Sequence, residues 1–257
     1  MRAIWTGAIG FGLVNIPVKM YSGTQDSSLD LDMLDKKDHS NIRFQRVNEK
    51  TGKEVAWENI VRGYKYNGDY VILDDEDFKK ASPEKSKLIE IAEFVSVDDI
   101  DTVYYETPYY LEPEKTGAKA YVLLRDALEK SGKVGLGTYV MRTKETIGII
   151  KPKDDILVLN KMRFPEEIRD HKELKVPADK TKPNELKMAL ALIDQLSGPF
   201  DIDKYKDTYS EQLMKVIEAK AKGKKITMPT MKVVHSKSQD LMDQLKASLS
   251  TSKRKAS

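Results

Sequence analysis

A chain of 257 residues with 33% charged side chains, 40% hydrophobic side chains, a net charge of +3 and a mean hydropathy of -0.54 can bury a substantial core in one large or two small domains. It has no cysteine, which excludes disulfide frameworks, thiol nucleophiles and cysteine zinc sites and fits a reducing, cytoplasmic setting. The charge is uneven: residues 215–257 carry eleven Lys/Arg against three Asp/Glu, net +8, while the first 214 carry 33 against 38, net −5. A basic tail on a mildly acidic body points to an anionic polymer as partner.

The opening MRAIWTGAIGFGLVNIPVKMY places Arg2 ahead of a small-residue-rich apolar stretch. Thr6, Asn15, Pro17 and Lys19 interrupt that stretch and no small-x-small cleavage site closes it, so it reads as folded strand and not as a leader. Nowhere do about eighteen apolar residues run together, so no membrane span is expected. Residues 3–21, 55–73, 103–111, 138–150 and 156–160 are rich in β-branched and aromatic side chains and are expected to be strands. Residues 50–53 and the Asn67-Gly68 pair read as hairpin tips, favouring a β-barrel or sandwich.

A helix is expected over residues 117–131, with Ala120, Leu124, Ala127 and Leu128 on one face and Gly132 as its C-cap, plugging one side of the barrel. After Pro177, Leu186, Ala189, Leu190, Ile193 and Leu196 keep a helical rhythm that Pro183 opens and Gly198-Pro199 ends. A second helix comes next, with Tyr209, Leu213, Val216 and Ile217 on one face until Gly223; the two helices form an arm, not a domain. Disorder is expected around residues 224–237 and at the end. Between these stretches, Ser236 and Gln239 offer a capping box to a short helix bearing Leu241, Leu245 and Leu249.

Several motifs suggest chemistry. Gly7, Gly10 and Gly12 invite a dinucleotide-loop reading, but Asn15-Ile16-Pro17-Val18 continues as strand where that loop needs a helix, so they read as strand glycines. The acidic clusters at 74–77, 98–101 and 154–155 lie where strands end or helices begin, where carboxylates serve turns and dipoles. Glu166, Glu173 and Lys175 loosely match metal-dependent nucleases, which hold a metal on two carboxylates with a Lys beside the attacking water, but at a spacing short for neighbouring strands. His39, His171 and His235 fit no metal-ligand spacing, and no phosphate loop of the GxxxxGK[ST] type occurs. More informative are Arg43, Arg46, Lys50, Lys53, Arg62 and Lys65, which alternate with Phe44, Trp57, Tyr64 and Tyr66 around the first hairpins. One face of such a ribbon could bury the apolar groups while the other presents cations to phosphates; the pattern fits an ordinary solvated strand face as well.

The segments MRAIWTGAIGFGLVNIPVKMYS, IRFQRVNEKTGKEV with ENIVRGYKY, ETPYYLEPE, KAYVLLRDALEKSGKVGLG with YVMRTKETIGIIKP, and FDIDKYKDTYSEQLMKVIEAKAKGK occur in that order. From Met1 to about Lys225 the chain thereby resembles the prokaryotic Ku proteins of DNA end joining. The resemblance implies a mixed, β-rich fold: a Ku-type β-barrel core over residues 1–176, carrying a DNA-encircling β-hairpin bridge roughly within 25–110. It further implies a helical dimerisation arm over 177–223 and a basic tail with a short amphipathic helix over 224–257.

The function implied by the resemblance is sequence-independent binding of double-stranded DNA ends by a homodimeric ring in non-homologous end joining, protecting the ends and recruiting the ATP-dependent DNA ligase D, with no catalysis or cofactor. The alternatives are a metal-dependent nuclease using Glu166, Glu173 and Lys175, or a scaffold that docks a partner through the tail and binds DNA only incidentally. The setting implied is the bacterial cytoplasm, in association with the nucleoid. On this reading the six ribbon cations contact phosphates, joined by Lys222, Lys224, Lys225, Lys253, Arg254 and Lys255 of the tail. Leu186, Leu190, Ile193, Tyr209, Leu213 and Ile217 face the partner chain, and Leu241, Leu245 and Leu249 dock a partner, while the family implies that the part of the tail nearest the core recruits the ligase. Some members place cysteines near the position of Val47-Asn48; their absence here puts a metal-binding role in doubt.

Overall fold

Glycine and reverse turns cut the apolar N-terminal stretch into paired strands, and this sets the architecture. The structure, a computed structural model, describes residues 1–81 and 87–224 together with Leu245. Trp5–Phe11 (β1) turns at Gly12, whose φ of 57° lies in the left-handed region, and returns as Val14–Ser22 (β2). The single strand expected over 3–21 is therefore a hairpin. The chain leaves the sheet after Ser22 and passes through Arg62–Tyr66 (β3), Asp69–Leu73 (β4) and Asp75–Ala81 (α1). It rejoins the sheet as Leu88–Ser96 (β5). Tyr105–Pro113 (β6), Lys133–Met141 (β7), Lys144–Lys153 (β8) and Ile156–Met162 (β9) complete a closed seven-stranded barrel in the order β1-β2-β6-β9-β8-β7-β5. Every neighbouring pair is antiparallel except the seam, where β1 runs parallel to β5 with Ile9 opposite Ile89. The strand expected over 138–150 is likewise a hairpin, turning at Arg142-Thr143.

The pleat sends Ile9, Ile16, Val18, Met20, Ile89, Leu111, Tyr139, Ile150, Leu157 and Leu159 into the barrel, where they are essentially inaccessible to water. Ala118–Ser131 (α2) ends on Gly132, whose left-handed φ of 65° makes it the C-cap. The helix inserts Tyr121, Leu124 and Leu128 into the same core, which agrees with the expected plug. The Tyr121 hydroxyl donates to the Leu111 carbonyl and accepts from the Leu157 amide, both at 2.6 Å, pinning the helix to β6 and β9. On the outer face Val134, Ile149 and Met162 form a second apolar cluster, covered by Ile100, Tyr104 and Tyr105.

Two compact units are present. One holds Met1–Asp26 and Asp30–Asp170; the other holds Ser27–Leu29 and the chain from His171 on. In the second, Pro183–Leu196 (α3) starts with proline in its first turn, and the Glu185 carboxylate accepts from the Lys182 amide. Thr208–Ala221 (α4) is capped by Asp207, which accepts from the Tyr209 and Ser210 amides, and Gly223 comes after it with a φ of 67°. The disorder expected around 224–237 and at the end falls outside the described residues, apart from Lys224. Among the described residues no helix is long and apolar enough to cross a membrane.

Candidate nucleic-acid interface

The excursion between β2 and β5 is where the fold ceases to bury side chains. From Gly23 to Ala81 no residue is buried. Phe44 is 81% exposed and Trp57 72%, and Tyr64, Tyr66 and Tyr70 are exposed as well. The expectation that one face of the ribbon buries its apolar groups is not met within one chain, because a pair of short strands shields little.

Local chemistry nonetheless fixes the backbone. The Asn48 side chain accepts from the Lys50 and Thr51 amides at 3.0 and 3.1 Å, and Gly52 adopts a φ of 63°, so residues 48–53 form a tight turn between Val47 and Glu54. This turn projects Lys50 and Lys53. In the second hairpin Asn67 and Gly68 both have positive φ, the requirement of the type I′ turn that suits twisted antiparallel strands. The β3–β4 register pairs Arg62 with Leu73, Tyr64 with Val71, Lys65 with Tyr70 and Tyr66 with Asp69. Arg62, Tyr64 and Tyr66 consequently share one face of the ribbon, and Lys65 lies on the other with Tyr70. The separation into an apolar and a cationic face is therefore replaced by two mixed faces.

The six nominated cations differ in availability. Arg62 donates to Asp75 at 3.0 Å and its guanidinium stacks on the Phe78 ring at 3.8 Å, tying β3 to α1. That helix starts on a reciprocal cap in which Asp74 accepts from the Glu76 and Asp77 amides while Asp77 accepts from the Asp74 amide, so the 74–77 carboxylates serve the turn. Arg46 stacks on Trp57 at 4.6 Å, which orients its charge without neutralising it. Among the described residues Arg43, Arg46, Lys50, Lys53 and Lys65 have no ion pair. Across residues 41–66 six cations stand against three carboxylates, a basic stretch within an acidic body. Nearby, hydrogen bonds from the Ser40 amide and hydroxyl hold the Asp38 carboxyl below its ordinary range.

In the helical unit Leu186, Leu190 and Ile193 are about half exposed, Tyr209 is more so, and Leu213 and Ile217 are partly covered. No residue of either helix is buried. Of the tail residues, Lys222 and Lys224 come after α4 and Leu245 is helical; Lys225, Lys253, Arg254, Lys255, Leu241 and Leu249 lie outside the described residues. Glu166 and Glu173 sit on separate 3-10 turns, Pro165–Glu167 and His171–Glu173, not on paired strands. Among the described residues no group of three His, Asp or Glu side chains is arranged to hold a metal ion.

Comparison with known proteins decides the family. A family model for the Ku70/Ku80 beta-barrel domain matches residues 10–189, a span that takes in the barrel with its plug helix from late in β1 onward. The chain belongs to the Ku family. The Ku relatives lie in both bacteria and archaea. A Pseudomonas aeruginosa protein is 40% identical over 248 residues, 94% of this chain and 85% of its own length. An Archaeoglobus fulgidus protein is 41% identical over 253 residues, 97% and 98% of the two chains, and a Bacillus subtilis protein is 35% identical over 259 residues, 99% and 83%. Each of the three is named non-homologous end joining protein Ku. The barrel observed here is thus the Ku barrel. Sequence reasoning singled out the excursion's cations but missed two things about them: Arg62 is committed to α1, and Arg46 is stacked. The Asp75 and Phe78 partners lie in a short helix with no apolar periodicity to reveal it.

Proposed function

We propose that this chain binds the ends of double-stranded DNA, independently of sequence, as a homodimeric ring acting in non-homologous end joining, and that it catalyses no reaction itself. The observation that carries this reading is the excursion from Gly23 to Ala81: it buries no side chain, exposes five aromatic rings and, among the described residues, holds five nominated cations without an ion pair. Such a ribbon is marginal alone in water and gains stability when a second surface covers it. A second copy of the same ribbon, related by a two-fold axis, supplies that surface and encloses a basic opening. Phosphates crossing the opening would neutralise Arg43, Arg46, Lys50, Lys53 and Lys65, while Arg62 holds the ribbon to α1. A ring is entered only from a free terminus, so preference for ends is a consequence of topology and needs no contact specific to the break.

The half-exposed apolar residues of α3 and α4 are read as the dimerisation arm, Leu186, Leu190 and Ile193 with Tyr209, Leu213 and Ile217 covering the partner chain. The tail is assigned two tasks, retention of DNA through its lysines and Arg254, and partner contact through Leu241, Leu245 and Leu249, with ligase D recruited by the part of the tail nearest the core. The test compares linear DNA with covalently closed DNA of the same sequence. Retention of the linear form alone is expected; equal binding and equal retention of both would refute the ring.

A further inference from the structure

The two ends of the barrel differ. At one end Arg125 of α2 donates to the Asp155 carbonyl in the β8–β9 turn, and the helix closes the interior. The β7–β8 turn lies at the opposite end of β8. Trp5, Tyr109, Arg142, Lys144, Thr146 and Lys161 line a pocket of about 570 Å³, inside the range of roughly 300–1,000 Å³ typical of small-molecule sites.

The pocket is built of fixed parts. Trp5 is anchored by an indole N–H bond to the Val140 carbonyl at 3.2 Å, and Lys161 by Glu106 at 2.9 Å. Thr146 is only 6% exposed. Directly opposite it across β7–β8 stands Tyr139, 2% exposed, whose hydroxyl has no hydrogen-bond partner among the described residues. Buried hydroxyls nearly always have one, so this orphan, which lies behind the lining and not in it, is an exception. At the rim, Arg142 and Lys144 have no ion pair among the described residues. Arg142 holds a φ of 62°, a turn conformation that favours Gly or Asn and is strained for arginine.

We infer that the pocket beside the β7–β8 turn binds a nucleoside phosphate. The Trp5 and Tyr109 rings offer stacking surfaces for a base, Arg142 and Lys144 meet the phosphate, and Thr146 completes the lining. The ligand has two possible sources, the unpaired terminal nucleotide of a DNA overhang or a free nucleotide. The first rests on the proposed end binding and the second does not.

The test uses the full chain with Trp57→Phe, which leaves Trp5 as the sole tryptophan. Emission is followed during titration with a nucleoside monophosphate, the same nucleoside, inorganic phosphate, a blunt duplex and a duplex with a short overhang. Saturable quenching by the nucleoside monophosphate is expected, weakened roughly tenfold by Arg142→Asn and by Lys144→Ala. Arg142→Asn should at the same time raise the thermal midpoint, because asparagine tolerates the left-handed turn. Quenching by the overhang duplex but not the blunt one assigns the DNA source; quenching by the free nucleotide alone assigns the other. No response to any nucleotide overturns the site, as does equal affinity for phosphate or nucleoside alone, or a lost affinity that tracks a lowered midpoint. If duplex ends bind while Trp5 stays silent, the pocket fails and end binding stands. If the nucleotide binds but linear and closed DNA are held alike, end binding fails and the pocket stands.

Discussion

Replacing Lys50 and Lys53 by alanine is expected to change the salt dependence of DNA binding, and replacing Arg62 is not. Lys50 and Lys53 flank a turn braced by Asn48 and have no ion pair among the described residues, whereas Arg62 already meets Asp75 at 3.0 Å and covers Phe78. If the proposed two-chain ring forms, the five cations per chain without an ion pair among the described residues would neutralise about ten phosphates, giving a slope of about −9 for log K against log salt. Alanine at both lysines removes about four of those contacts per ring and flattens the slope to about −5. Between about 50 and 200 mM salt the parent protein then loses roughly 10⁵-fold in affinity and the variant roughly 10³-fold. The assay is fluorescence anisotropy on a short labelled duplex over a salt series, with Arg62→Ala run in parallel. A slope for the double variant as steep as the parent's, or an Arg62→Ala slope flattened to the same extent, refutes the assignment of free and committed cations.

Two buried tyrosines should respond in opposite ways to loss of the hydroxyl. Tyr121→Phe leaves the Leu157 amide unpaired and is expected to cost about 1–3 kcal/mol in denaturant unfolding. Tyr139→Phe removes a hydroxyl that has no partner among the described residues and is expected to be neutral or stabilising by about 1 kcal/mol. Burial, with Tyr109 and Glu106 adding, pushes the Tyr139 phenol above its ordinary value, so ionisation is favoured in the unfolded chain. The associated stability is whole below about pH 10 and falls as the pH rises further; Tyr139→Phe should reduce that alkaline loss in pH-dependent melts. Gly137→Ala would drive a Cβ into the Glu90 carbonyl oxygen and should destabilise by about 3 kcal/mol or more, read by thermal denaturation. Leu190→Asp with Ile193→Asp should shift sedimentation toward monomer while the barrel's near-UV circular dichroism stays unchanged.

Much of the local architecture was legible because single residues dictate it. Asn67-Gly68 demands a hairpin, Gly132 and Gly223 end helices in the left-handed conformation, and Pro183 opens one. The two apolar stretches 3–21 and 138–150 hid their turns. Gly12 reads as one more strand glycine, and Arg142-Thr143 carries none of the usual turn residues. β5 escaped because Glu90 and Glu93 interrupt its apolar residues and a bulge between Ile91 and Glu93 breaks the alternation. At the candidate interface, the identity of the cations was readable and their commitments were not. Facing on the ribbon depends on register, which pairs Lys65 with Tyr70 across the strands. The rim of the barrel pocket went unnoticed for the same reason, since Trp5, Tyr109, Arg142 and Lys161 meet only once the sheet has closed.

The parallel seam between β1 and β5 has a kinetic consequence. The β7, β8 and β9 meander is built from neighbours in sequence and can form early, but Ile9 must await Ile89, and Met20 must await Leu111. Closing loops of such length is entropically costly before any contact rewards it. During synthesis, then, the aromatic ribbon emerges well before the strands that complete the cylinder. Refolding should show a slow phase reporting closure at the seam.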